Sequence, residues 1–130
     1  MKLIVKPKAN NLLLEKPLHL VIAVEPEGHF EVYNSESGLK PDRHLVLGIA
    51  QAMAVQIEEK DPDTVVFAKD AEVALEMDGV IKKLSSGLII VRTAEEGAIA
   101  ALALCDPSEG RRLARRAVRA LTGTIRLDVP

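Results

Sequence analysis

Aromatic residues are nearly missing from this chain: Phe30, Phe67 and Tyr33 are the whole set, and there is no tryptophan. Leu, Val, Ile and Ala can pack a core without them. The scarcity does weigh against a single-strand nucleic-acid platform, which holds bases by stacking them on aromatic rings. Cysteine is almost absent too. A lone Cys105 excludes an intramolecular disulfide and a cysteine-rich metal site, so a reducing cytoplasm is the expected compartment. No sign of charge dominates: a formal net charge of −2 gives no global attraction to nucleic acid or to an anionic membrane. Long apolar runs are lacking. The longest stretch without a charged residue, counting His as neutral, runs from His44 to Ile57, well short of the roughly 20 residues a membrane span needs. The apolar start Leu3-Ile4-Val5 is too short for a signal peptide.

The usual chemical signatures are missing as well. There is no G-x-x-x-x-G-K-[ST] loop, and Gly79, Gly87 and Gly97 lie too far apart for a dinucleotide fingerprint. His19, His29 and His44 fall in different segments with no metal-binding spacing. No serine sits in a G-x-S-x-G elbow. Cys105 precedes a helix start, a setting that can depress a thiol pKa, but no histidine is tied to it by sequence pattern, and a buried structural cysteine is the simpler reading. Glu58-Glu59 and Glu95-Glu96 read as solvated surface. No catalytic residue, cofactor site or metal site is assigned.

The 130 residues are 48% hydrophobic and 28% charged, which is ordinary globular usage for a single domain able to bury its own core. Residues 1–17 read as an N-terminal strand or arm, 18–122 as the core, and 123–130 as a tail with room for a short strand. Leu18–Val24 and His29–Tyr33 are apolar runs around Glu25-Pro26-Glu27-Gly28 and predict a β-hairpin, closed by Asn34-Ser35-Glu36-Ser37-Gly38. Pro41-Asp42 opens a helix that reaches about Lys60. It is apolar nearly all round: Leu45, Ile49 and Met53 form one line, Val46, Ala50 and Ile57 another, Leu47 and Ala54 a third. Such a helix is covered on more than one side, either within its own domain or by a dimer partner, for which Leu45, Ile49 and Met53 are the candidate contact.

Thr64–Ala68 reads as a short strand. Residues 70–85 fit two patterns. Val73, Leu75 and Met77 alternate as in a strand, and Asp78-Gly79 suits a type I′ hairpin, whereas Val73, Met77, Val80, Ile81 and Leu84 also fit helix spacing. A mid-helix Gly79 costs about 1 kcal/mol against Ala, which favours strands. Leu88–Val91 and Ala98–Cys105 are strands, the latter with small residues that let a helix lie close. The expected fold is α+β: a mostly antiparallel meander of about five to six strands, a central helix after the first hairpin, and a C-terminal helix on the sheet.

That last helix is the most strongly marked segment. Asp106 caps, Pro107 suits the first helical position, Glu109 completes a capping box, and Gly123 is the expected stop. Arg111, Arg112, Arg115, Arg116 and Arg119 fall within an arc of about 140° at 100° per residue. Leu113, Ala114, Ala117, Val118, Ala120 and Leu121 take the other side. The arginines therefore face outward, either as a solvated face or as a contact for a carboxylate- or phosphate-bearing partner. Nucleic acid is a weaker reading, because one basic helix without aromatic support or net positive charge is a faint footprint.

From Leu18 to about Leu121 the chain resembles the roadblock / dynein light chain family. The resembling stretches are LVIAVEPEGHFEVYN, DRHLVLGIAQAMAVQIEE and GLIIVRTAEEGAIAALALCDPSEGRRLARRAVRAL. The resemblance implies a profilin-like α+β sandwich and a non-enzymatic regulator. It also implies a homodimer built by pairing strands into a continuous sheet with central helices packed together, and a small Ras-like GTPase as partner. Two other readings stand beside it: a small enzyme whose site is assembled from distant residues such as Cys105 or His29, and a nucleic-acid binder using the arginine helix.

Overall fold

The computed structural model describes the backbone of residues 1–36 and 40–127, and side chains in the closing helix up to residue 123. Ser37 and Gly38 of the segment expected to close the hairpin, and the last three residues of the tail, lie outside the described residues. Among the described residues, eight strands and two helices run in the order β1 (Lys2–Lys6), a short 3-10 turn (Leu12–Glu15), β2 (Leu18–Val24), β3 (Phe30–Asn34), α1 (Arg43–Glu59), β4 (Val65–Phe67), β5 (Glu72–Met77), β6 (Val80–Leu84), β7 (Leu88–Thr93), β8 (Ile99–Ala103) and α2 (Pro107–Leu127).

The fold is α+β. A five-stranded sheet in the order β3-β2-β7-β8-β4 forms the middle layer, and a three-stranded sheet in the order β1-β5-β6 forms a second one. All neighbours are antiparallel except β4 and β8, which run parallel. The strands thus exceed the five or six expected, and the meander after α1 is interrupted: β5 and β6 leave the main sheet to pair with β1. Their alternation explains the departure. Val73 and Leu75 bury one face of β5 while Glu72 stays in water, so this hairpin needs cover on one side only.

The middle strands have both faces covered, which is why they read as unbroken apolar runs. Leu20, Ile22 and Val24 of β2, Leu88 and Ile90 of β7, and Ala101 and Ala103 of β8 pack against the helices. Leu18, Val21, Ile89, Val91, Ala100 and Leu102 join Leu3, Val73, Leu75 and Leu84 of the small sheet on the other side. The 3-10 turn plugs this second core with Leu14, and Asn11 holds it by accepting from Leu13 N–H and donating to the Asp63 carbonyl.

Residues 70–85 resolve as the hairpin. Asp78 (φ 53°) and Gly79 (φ 78°) both take the left-handed conformation that a type I′ turn requires. Helix α1 begins where expected, with the Asp42 carboxylate accepting from His44 N–H, and ends on Lys60 in the left-handed region. Helix α2 begins at its Asp106 cap, which accepts from Glu109 N–H at 2.9 Å; the expected capping box is only half made, because the Glu109 carboxylate pairs with Arg112. It does not stop at Gly123; the helix runs on to Leu127, through residues expected in the tail. A Cβ at Gly123 would meet nothing within 4 Å, so this glycine lies on an open face and no turn uses its freedom.

Candidate functional site

The arginine face of α2 is built by its opposite side. Leu113, Ala114, Ala117 and Leu121 are buried against the sheet and α1, and this turns the arginines away from the core. Three of the five then turn back onto the chain itself. Arg112 donates to the Pro26 carbonyl at 2.8 Å and pairs with Glu109 one turn before it. Arg116 donates to the Glu27 carbonyl at 2.6 Å, with its side chain lying directly over Gly28. Arg115 pairs with Glu58 of α1. The stripe is thus largely a clasp: it satisfies the carbonyls of the β2–β3 turn and ties α2 to α1. Among the described residues, Arg111 and Arg119 make no such contact, Arg111 being half-buried and Arg119 exposed.

Gly28 has φ +96°, and a Cβ there would stand 2.8 Å from Arg116 Cδ. The EPEG turn is therefore shaped for the arginine that covers it. Glu109, beside Arg112, is held below its ordinary pKa by that guanidinium, and Asp106 is lowered mainly by the Glu109 N–H and next by the Ser108 hydroxyl.

The candidate dimer residues part company. Ile49 and Met53 are buried inside their own domain, among the sheet and α2, and only Leu45 of that line remains exposed. Packing of α2 accounts for the correction, since it covers a face that the sequence could not assign. What α1 turns outward is a different stripe: Leu45, Gly48, Ala52, Val55 and Glu59, within an arc of about 80°. Leu45 is 36% and Val55 55% exposed. The exposed residues at the start of the helix are Lys40, Asp42, Arg43 and His44; those at its end are Glu58, Glu59 and Lys60.

Cys105 is half-buried, and its place before α2 does not depress the thiol pKa. The thiol donates to the Gly87 carbonyl at 3.3 Å. Its pKa is raised, first by burial and then by the Glu109 and Asp106 carboxylates in the first turn of α2 and at its cap. His29 sits in the hairpin, its carbonyl accepting from Glu25 N–H. His19 Nδ1 and Arg92 Nη1 meet at 2.8 Å, a contact between β2 and β7 that gave no sequence signal. Shallow hollows of about 360, 250, 170 and 260 Å³ open on the small sheet, beside the 3-10 turn, and around the start of α1, and neither Cys105 nor His29 lines any of them. Among the described residues no three His, Cys, Asp or Glu side chains are grouped to hold a metal ion, and no helix is long and apolar enough to cross a membrane.

A second polar cluster joins the two sheets. Lys82 of β6 donates to the Tyr33 hydroxyl at 3.0 Å and lies 3.6 Å from the Glu31 carboxylate, while Tyr33 donates to Glu31. Glu31 is lowered, first by the Tyr33 hydroxyl and then by the Lys82 charge; burial and the Glu31 carboxylate raise Tyr33.

No family model matches the chain, and no curated protein or solved structure does so either. What stands is the α+β architecture of two helices and two sheets.

Proposed function

We propose that this chain is a non-enzymatic binding module that works as a homodimer through the outward stripe of α1. The stripe carries the reading. Leu45, Gly48, Ala52 and Val55 leave an apolar, low-relief face on a helix whose other side is already covered. A second copy is its natural occupant because the helix ends differ in net charge: Lys40 and Arg43 outweigh Asp42 at its start, and Glu58 and Glu59 outweigh Lys60 at its end. A two-fold axis near Ala52 brings the net-basic start of one chain's helix to the net-acidic end of the other's, where Glu59 is exposed, and opposes the helix dipoles favourably. Gly48 and Ala52 allow the backbones to approach.

Within this reading the resemblance to the roadblock family supports a regulatory or scaffolding role, with a small Ras-like GTPase or another acidic protein surface as partner. Arg111 and Arg119, not the whole stripe, are then the arginines available to it. Sedimentation velocity at micromolar concentration tests the dimer: a two-chain species is expected, converted to monomer by Val55→Glu, and a strict monomer for the unaltered chain sinks the proposal.

A further inference from the structure

The small sheet ends in an edge strand whose contact with β3 runs through the Lys82 side chain. β1, at one edge, is flanked by the 3-10 turn, whereas β6 has no strand beyond it. The register shows which of its backbone groups are free. In a two-residue hairpin the pair closing the turn, here Met77 and Val80, exchanges hydrogen bonds, and pairs alternate from there. Val80, Lys82 and Leu84 therefore bond to β5, and the N–H and C=O groups of Ile81 and Lys83 point away from the sheet. Val80 and Ile81 are 66% and 63% exposed, uncommon for β-branched residues on an edge. On the outer face, Ile81 and Lys83 border the hollow of about 360 Å³ floored by Ile4 and Ala74.

We propose that β6 is a docking edge for an extended acidic segment of a partner protein, which adds to the small sheet as a fourth, antiparallel strand. The strand is polarised: two apolar residues, Val80 and Ile81, then two basic ones, Lys82 and Lys83. Its antiparallel complement reads two acidic residues followed by two β-branched ones. The first acid meets Lys83, which has no carboxylate within ion-pair distance among the described residues and so carries the preference; the second comes alongside Lys82, already paired with Glu31. A second copy of the chain is disfavoured in this role. The register that engages both Ile81 and Lys83 places Lys82 opposite Lys82, and like charges directly opposed repel. This surface is separate from α1 and does not depend on the dimer.

The test is hydrogen exchange by NMR on the whole chain with an end-blocked peptide Thr-Glu-Glu-Val-Ile-Thr, and with the control Thr-Lys-Lys-Val-Ile-Thr. The acidic peptide is expected to slow exchange at the Ile81 and Lys83 amides, and the basic peptide to leave them unchanged. Lys83→Glu should weaken the acidic peptide by roughly three- to tenfold and strengthen the basic one. Ile81→Pro removes one outward donor at an edge that tolerates proline, and should abolish the protection at the remaining Lys83 amide. Equal protection by both peptides, or protection mapping away from β6, overturns the proposal, as does a Lys83→Glu chain that keeps its preference.

Discussion

Replacing Gly87 by alanine tests the closeness with which α2 lies on the sheet. Gly87 joins three elements: its N–H donates to Val24 at 2.8 Å, and its carbonyl accepts from Leu104 N–H at 2.9 Å and from the Cys105 thiol. A Cβ there would stand 2.6 Å from Leu113 Cδ1, and Pro26 lies behind it at 3.7 Å. Carbon atoms in contact settle at about 3.5–4.0 Å, so Leu113 must give way by roughly 1 Å. Leu113 is fully buried, and with the backbone pinned on both sides the side chain has nowhere easy to go. Overpacking of this kind costs about 1–3 kcal/mol, which corresponds to a fall in Tm of roughly 4–12 °C for a domain of this size. Urea and thermal unfolding of Gly87→Ala measure it. The double variant Gly87→Ala/Leu113→Val, which removes the clashing methyl, should be more stable than the sum of its single changes by at least about 0.5 kcal/mol. A neutral Gly87→Ala, or strict additivity in the pair, refutes the close contact between α2 and this loop.

Gly48 provides the opposite case: it sits in mid-helix with nothing of its own chain within 4 Å of a new Cβ, so in the monomeric Val55→Glu background Gly48→Ala should raise stability by about 0.5–1 kcal/mol in the same unfolding assay. Arg112→Ala/Arg116→Ala should lower Tm and speed amide exchange in the turn 25–28, because these arginines hold its carbonyls; unchanged exchange there returns the stripe to a purely external role. Asp106 is depressed below its ordinary value of 3.8 in the folded chain, so it adds stability that is fully present above that pH and is lost as pH falls through the lowered value. Thermal melts from pH 5 to pH 2 should show this loss, and Asp106→Asn, which keeps the capping acceptor, should flatten it. With its pKa raised by burial, Cys105 should react with a thiol reagent at pH 8 more slowly than free cysteine and accelerate above pH 9; a rate equal to the free amino acid contradicts its placement.

Local chemistry was legible wherever a few neighbouring residues decide the outcome. The Asp106 cap, the Asp42 cap, the EPEG turn and the Asp78-Gly79 turn each act over one turn of backbone, and each was recoverable by reading along the chain. The stop at Gly123 misled because a glycine permits a helix end without compelling one. Partnership was not legible. That Arg116 covers Gly28 and Arg115 meets Glu58 depends on how two helices lie over a sheet, and no spacing in the sequence encodes a contact across so many residues. The candidate interface shifted for the same reason: Ile49 and Met53 carry the same apolar signal whether their cover is α2 or another chain.

By itself, then, the sequence determined the elements, their order and the inward face of α2, because periodicity and capping are short-range properties of the backbone. Only the tertiary structure decided which strands pair. It sent β5 and β6 away from the main sheet to β1, ran β4 parallel to β8, and left β6 as an open edge. It also converted most of an outward arginine stripe into a clasp on the β2–β3 turn and α1. Pairing and clasping alike are long-range choices, set by which buried faces fit together once the local elements exist.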